Sequence, residues 1–247
     1  DTPIDEILRV EADIARRITD ALEITLSGDQ ADRLGRLPTP VPAAHLAFME
    51  ARHAWGTRST EGFQRSLELY DRAIAADPRF ALAHAAKAET YVLMMIYLGR
   101  VEDYLEPLQT EVEAALRLDP ELAEAYPVQG FLHIMEGKWE AARRAFERAI
   151  ELDPRYATAY QWHGSYLFAI GDLAGRLEML ETARRIDPGS LLITTDYALA
   201  LDAVGRSEQA EALLLELVET APEFWRAHDG LGRVYLGIKQ KRTLHLA

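Results

Sequence analysis

The sequence predicts an all-α protein, built as a solenoid in which antiparallel helix pairs stack one after another. From Ala43 onward the apolar residues have the spacing of one helix after another, and no segment has the pattern of a strand. Prolines also recur at intervals of 42, 34, 34 and 34 residues, at Pro78, Pro120, Pro154, Pro188 and Pro222. Three equal intervals indicate an internal repeat.

The composition is that of a folded chain with an acidic surface. Hydrophobic residues make up 49% and charged residues 27% of 247 residues, and the net charge is −13. Nucleic-acid binding, which needs a basic surface, is therefore not expected of this fragment. The chain has no cysteine, which excludes disulfides, thiolate metal sites and cysteine nucleophiles. No apolar run is long enough to span a bilayer, so membrane insertion is not expected either.

Residues 1–42 are predicted to form an amino-terminal amphipathic helix and a proline-rich connector. Thr2 suits a helix cap and Pro3 the first helical position. Pro38, Pro40 and Pro42 then stiffen the connector, because each proline restricts its own backbone and that of the residue before it. The apolar stripe of the helix consists of Ile4, Leu8, Val10, Ile14, Ile18 and Leu22.

From residue 43 to 238 a repeat of 34 residues places large and small side chains at fixed positions. Counting from residue 123, the pattern has large residues at positions 4, 11 and 24, small ones at 8, 20 and 27, and proline at 32. Residues 123–156 supply Tyr126, Gly130, His133, Ala142, Phe146, Ala149 and Pro154. The chain thus resembles the tetratricopeptide repeat family over about 200 of its residues, which implies a superhelix of helix pairs. In residues 157–190 only Arg176, at position 20, departs from the pattern.

The array is predicted to hold about five repeats and a half repeat. Gly137, Gly171 and Gly205 are expected to turn between the two helices of their repeats. Repeat two has eight extra residues within MMIYLGRVEDYLEPLQ, which either lengthen both helices or form a projecting loop. His228, Gly232 and Tyr235 begin the half repeat, and residues 239–247 form its basic tail.

A narrower resemblance lies at the entry to the array. Residues 11–85 are similar to the segment that precedes the repeats in multidomain bacterial signalling proteins, downstream of an adenylate or guanylate cyclase, a serine/threonine kinase or a winged-helix regulator. Those proteins typically have Asn-Pro-Glu-Ala-Tyr where this chain has residues 41–45, Val-Pro-Ala-Ala-His. The resemblance implies a sensory or docking role and carries over no catalytic residue. The first residue, Asp1, is also not methionine, which suggests an excised or processed fragment.

The residues offer no enzyme or cofactor site. His84, His133, His163 and His228 occupy repeat positions that packing explains. Glu50 and His53 are spaced like half of a di-iron ligand set, but no second copy exists, so no metal is expected. Gly-x-Ser-x-Gly, phosphate-loop and dinucleotide-binding motifs are absent from the sequence. We therefore expect a non-enzymatic protein without cofactors.

The expected site is the concave face formed by the first helix of each repeat. In the resembling family this face is lined by positions 2, 5, 9, 12 and 13. The predicted binding residues are Phe131, Ile134, Met135, Gln161, Ser165, Phe168, Leu199, Asp202 and Arg233. Aromatic and methionine anchors beside polar groups suit a bound peptide or helix. Alternatively, these residues pack against the amino-terminal helix or the repeat-two insertion. The lysine, asparagine and arginine clamp for chaperone tails is absent.

The leading hypothesis is a non-catalytic protein–protein interaction scaffold that regulates a larger bacterial signalling protein. A second hypothesis is self-assembly, with a homodimer formed through the open carboxy-terminal repeat. A third is a small-molecule sensor, for which no residue identifies a ligand. A cytoplasmic location is favoured, and a periplasmic one follows if a membrane span precedes the fragment.

Overall fold

A computed structural model describes residues 38–244 of the chain, with side chains described up to residue 237. The described residues form eleven helices and no strand, which confirms the predicted fold class. The predicted amino-terminal helix of residues 1–28 lies outside the described range. The chain divides into two compact units, with the division after Leu122.

The first unit contains α1 (Pro42–Gly56), α2 (Thr60–Ala76), α3 (Ala81–Leu98) and α4 (Val101–Leu118). The second unit contains α5 (Ala125–Met135), α6 (Trp139–Leu152), α7 (Ala157–Ala169), α8 (Leu173–Ile186), α9 (Leu191–Ala203), α10 (Ser207–Thr220) and α11 (Trp225–Leu244). Within each unit every helix packs on the next one along the chain. Because the connections are short, successive helices run antiparallel. Odd-numbered helices are the first helices of their repeats, and even-numbered helices are the second.

Of the four second helices that precede an Asp-Pro pair, three end in the same way. Asp77, Asp119 and Asp153 have extended backbone conformations, with φ of −136°, −142° and −138°. The Asp153 carboxylate accepts a hydrogen bond from the backbone N–H of Arg155 at 2.9 Å, and the other two aspartates bond the chain in the same way. This local turn, followed by proline, stops one helix so that the next repeat can begin.

The turns from first to second helices in the middle of the array require glycine. Gly137, Gly171 and Gly205 have φ of 72°, 85° and 86°, in the left-handed region that other residues seldom adopt. The predicted turn positions are therefore confirmed.

The insertion in repeat two lengthens both of its helices. Helices α3 and α4 contain 18 residues each, against 13 and 14 in α7 and α8. Gly99, with φ of 65°, ends α3 in the left-handed conformation. The projecting loop that the sequence left open as an alternative does not form.

Large and small residues interlock between the helices of each repeat. A side chain at Gly130 would place its Cβ 2.7 Å from the ring of Phe146, which is 1% exposed. Ala142 and Ala149 are fully buried beside that ring on the same helix. The pattern of repeat positions thus marks the points where the helix axes approach most closely.

The described side chains of helix α11, up to residue 237, are buried along one face. Ala227, Gly230 and Val234 are buried against α9 and α10. His228, Gly232 and Tyr235, the predicted positions 4, 8 and 11 of the half repeat, are exposed. These positions face the second helix of their own repeat elsewhere in the array, and the described residues supply no such helix here. Helix α11 also continues through residues 238 and 239, where the predicted array and tail meet.

Candidate functional site

The nine predicted binding residues all lie on first helices of the second unit. Gln161, Ser165 and Phe168 follow one another at spacings of four and three residues, so they share one face of α7. Leu199 and Asp202 likewise share a face of α9. The environment of each side chain determines whether it is available to a partner.

On helix α5 only one of the three predicted residues has an exposed side chain. Phe131 is half-buried, with its ring edge-on to Trp162 at 6.3 Å between ring centroids. Ile134 packs against the cluster around Phe146 rather than facing solvent. Met135 is exposed at the end of the helix. Phe131 and Ile134 therefore contribute mainly to packing between repeats.

Helix α7 presents the most exposed aromatic residue of the site. The Phe168 side chain is 54% exposed. The Ser165 hydroxyl donates to the backbone carbonyl of Gln161 at 3.2 Å. The Gln161 side chain is buried. An exposed phenylalanine bordered by these polar groups has the character of a binding anchor.

A chain of polar contacts crosses the three first helices α7, α9 and α11. Gln161 Nε2 on α7 donates to Asp196 Oδ2 on α9 at 2.7 Å. Arg226 on α11 donates from Nη2 to the other oxygen of Asp196, Oδ1, at 3.2 Å. Sequence reasoning missed Asp196 because it occupies position 6, outside the expected groove positions. Its charge could have identified it, because the helix LLITTDYALALDA has no other charged residue before its last turn.

The remaining predicted residues on α9 and α11 have local partners. Asp202 accepts a hydrogen bond from the Ser207 hydroxyl at 2.5 Å, and so holds the turn into α10. Arg233 is exposed and pairs with Asp229 one turn away at 2.9 Å. Leu199 is half-buried. Phe168, Met135, Ser165 and Arg233 are thus the predicted residues with exposed side chains, and that of Arg233 is held by an ion pair.

Arg176 joins this face from a second helix. Its guanidinium carbon lies 4.4 Å from the centre of the Phe168 ring. Its backbone carbonyl oxygen lies 3.5 Å from the Cβ position of Gly164, so α8 passes close to α7. Burial lowers the pKa of Arg176, and the charge of Asp196 opposes that effect. The residue that departed from the repeat pattern therefore adds a half-buried positive charge beside the exposed aromatic ring.

The first unit contains a separate ionic cluster between three helices. Lys87 Nζ on α3 lies 2.6 Å from Asp71 on α2 and 2.6 Å from Glu111 on α4. His84 Nδ1 contacts the other oxygen of Glu111 at 2.6 Å. Burial raises the pKa of Glu111, but hydrogen bonds from His84 and Lys87 outweigh it, so the net pKa lies below the ordinary value. The prediction that packing explains His84 missed this carboxylate partner, because sequence spacing does not show which side chain on α4 faces α3.

Two further features concern metal binding and membrane insertion in the part of the chain that the structure describes. No group of three or more histidine, aspartate or glutamate side chains in this range has the arrangement to hold a metal ion. No helix of the described chain is long and apolar enough to cross a membrane.

Comparison with known proteins supports the repeat assignment. The family model for the tetratricopeptide repeat matches residues 133–190, from the end of α5 to the start of α9. No curated protein sequence is significantly similar to the chain.

Three of the solved structures that share the fold do so at low sequence identity. TTC0263, a thermophilic tetratricopeptide repeat protein of Thermus thermophilus, superimposes with a TM-score of 0.64 and 18% identity, over 78% of this chain and all of that one. A monomeric mutant of IFIT1 with Gppp-AAAA gives 0.66 and 16% identity, over 94% of this chain and 52% of that one. The human IFIT1 dimer with m7Gppp-AAAA gives 0.64 and 16% identity. The described chain therefore has the α-solenoid fold of tetratricopeptide repeat proteins.

Proposed function

We propose that the second unit is a protein-interaction module, which binds a peptide or helix of a partner protein on its first-helix face. The observation that carries the proposal is Phe168, a large aromatic side chain that is 54% exposed on the same helix face as Ser165, which is exposed, and Gln161, which is buried. Burying an aromatic ring gains hydrophobic free energy, and neighbouring hydrogen-bonding groups fix the orientation of the partner. Met135, also exposed on a first helix, extends the apolar surface toward the preceding repeat.

The proposed context is a regulatory domain of a larger bacterial signalling protein. It is supported by the similarity of residues 11–85 to the entry segment of such proteins. In this role the repeats recognise a partner and a separate module produces the output. In this role the repeats must bind their partner selectively and need not catalyse a reaction. A site that consists of an apolar anchor and hydrogen-bonding groups suits this task.

RNA is a less suitable partner than a protein. The IFIT1 structures contain capped oligonucleotides, but at 16% identity the likeness concerns the fold alone. The net charge of −13 opposes the counterion release that drives phosphate-backbone binding. Absence of nucleic-acid binding stays a prediction, which a binding assay with a labelled single-stranded RNA tests.

The main experiment selects peptides from a random displayed library against the purified protein and measures their affinity by fluorescence anisotropy. We expect Phe168→Glu to weaken the selected peptides by about 30-fold, the loss typical of a buried aromatic anchor. Leu215→Glu is the matched control, because Leu215 is also exposed but lies on the second helix α10. Equal affinity of the Phe168→Glu and Leu215→Glu variants would place the binding surface elsewhere and contradict the proposal.

Self-assembly is a second candidate function, favoured by helix α11. Tyr235 and Leu236 are 44% and 63% exposed on a helix whose described side chains are buried along one face. Adjacent large apolar side chains of this kind are typical of association surfaces. A homodimer through this face predicts a molecular mass in light scattering that rises with concentration and falls back to the monomer in Leu236→Glu. A monomer at all concentrations would exclude it.

A further inference from the structure

Arg176 is half-buried in the second unit, and no carboxylate of the described chain pairs with it. In the described chain its guanidinium has no ion pair within 4.0 Å and no hydrogen bond, and its carbon lies 4.4 Å from the centre of the Phe168 ring. Arg143, Arg148, Arg226 and Arg233 each pair with a carboxylate. A half-buried guanidinium has five N–H donors, and leaving them without acceptors costs free energy.

The carboxylate whose charge acts on Arg176, that of Asp196, already accepts two hydrogen bonds. Gln161 donates to one of its oxygens and Arg226 to the other. Arg226 and Asp196 cancel each other's charge, so Asp196, Arg226 and Arg176, which are linked by these contacts and by the effect of Asp196 on Arg176, have a net charge of +1. In addition, Arg226 Nε is buried and has no hydrogen-bond partner in the described structure. The site thus has an excess of both positive charge and donors.

We propose that Arg176 binds the carboxylate of an aspartate or glutamate side chain in the partner peptide, while Phe168 packs against an adjoining apolar residue of that peptide. This inference rests on the proposed peptide-binding function and specifies its ligand chemistry. A planar guanidinium matches a carboxylate with two parallel hydrogen bonds. Stacking on the ring of Phe168 holds the guanidinium plane in place before the peptide arrives, which reduces the entropy lost on binding.

Charge balance favours a carboxylate over a phosphate group. One carboxylate neutralises the net charge of +1. A phosphoserine carries nearly two negative charges at pH 7 and would leave an excess negative charge beside Asp196. Repulsion from Asp196 then weakens the phosphorylated ligand relative to the carboxylate. We therefore expect this site to bind a peptide with a carboxylate more tightly than one with a phosphate group at the same position.

The test uses the peptides selected against the complete chain, synthesised in three forms that have Glu, Gln or phosphoserine at the acidic position. We expect the selected peptides to share an acidic residue next to an apolar one. Replacing Glu with Gln in the peptide is expected to weaken binding to the wild-type protein by about tenfold or more, as for a charge-assisted hydrogen bond. Phosphoserine is expected to bind less tightly than Glu.

Protein variants identify the arginine responsible. Arg176→Met retains the apolar stem against Phe168 and is expected to bind the Glu and Gln peptides within about twofold of each other. Arg176→Lys retains the charge but loses the planar fork, and its preference for Glu is expected to be intermediate. Arg185→Gln is the matched control, because it removes an exposed arginine from the same helix. It is expected to keep the full preference for Glu.

Several results would overturn the inference. Selected peptides without acidic residues, equal binding of Glu and Gln peptides to the wild-type protein, or a full preference for Glu in Arg176→Met would each do so. Tighter binding of phosphoserine would assign the site to phosphopeptides instead. In all these cases loss of binding in Phe168→Glu would leave the proposed peptide-binding function intact. If Phe168→Glu and Leu215→Glu bind alike, the proposed function itself fails.

Discussion

Gly130 tests whether close helix approach, rather than backbone freedom, fixes the small positions of the repeat. We consider Gly130→Ala, which adds one Cβ on helix α5. That atom would lie 2.7, 2.8 and 3.0 Å from three atoms of the Phe146 ring. Since carbon atoms in contact are normally separated by about 3.5 Å or more, the ring must retreat by roughly 0.8 Å.

The ring has little room to retreat. Phe146 is fully buried, stacked on His163 and tilted against Tyr166, with both ring centroids at 5.8 Å. Overpacking of this kind costs about 1–3 kcal/mol. Alanine is favoured over glycine within a helix by about 1 kcal/mol, which offsets part of that cost. We therefore expect Gly130→Ala to lower the free energy of unfolding by about 1 kcal/mol.

Gly232→Ala provides the matched comparison on helix α11. A Cβ at Gly232 meets no atom within 4 Å, so only the helix preference acts and the variant gains up to about 1 kcal/mol. The difference between the two variants isolates the packing cost. Gly164→Ala is expected to fall between them, because its Cβ meets the Leu180 side chain at 3.2 Å. Urea unfolding followed by circular dichroism measures all three. Equal free energies for Gly130→Ala and Gly232→Ala would refute the reasoning.

Three further predictions concern the ionic cluster, a buried histidine and a repeat joint. Glu111→Gln is expected to lower stability at pH 7 by about 1–3 kcal/mol, because Lys87 loses one of its two carboxylates. The folded-state pKa of Glu111 is depressed, so the stability that its carboxylate contributes is present above about pH 4.3 and is lost as the pH falls further. In urea unfolding, the free energy of unfolding of the variant should therefore decrease less at low pH than that of the wild-type protein. Burial lowers the pKa of His163 in the folded protein, so the unfolded chain binds a proton there first and the protein loses stability as the pH falls below about 6.5. His163→Phe should therefore reduce the decrease in the free energy of unfolding between pH 7 and pH 5. Pro154→Ala should cost about 0.4–1 kcal/mol by freeing the unfolded chain, and leave peptide affinity unchanged in anisotropy.

The sequence predicted the parts of the fold that depend on local backbone chemistry. Asp153 followed by Pro154 ends a helix through a hydrogen bond within three residues, and Gly171 turns the chain because it adopts a positive φ. Such signals need no knowledge of distant residues. The spacing of Gly130 and Phe146 was equally informative, because the repeat fixes which positions meet.

The candidate site was less predictable because its side chains are paired over long distances along the chain. Ile134 was predicted to line the binding face, and it is partly buried against the cluster around Phe146. Asp196 meets residues 35 and 30 positions away, Gln161 and Arg226. No helical spacing relates these three residues. Their contact depends on how successive first helices pack, which the sequence pattern alone does not specify.

Some charged residues inside the array have a counterion within the fold and others do not. This difference distinguishes residues with a structural role from residues with a binding role. Lys87 is buried, and carboxylates on the two neighbouring helices satisfy it within the first unit. Arg176 occupies a position meant for a small side chain, yet no carboxylate of the described chain pairs with it. A charge required only for folding is expected to have its counterion in the fold, since an unpaired buried charge destabilises the protein. The missing counterion of Arg176 is therefore best supplied by a partner, which makes this departure from the repeat pattern more informative about function than the residues that conform to it.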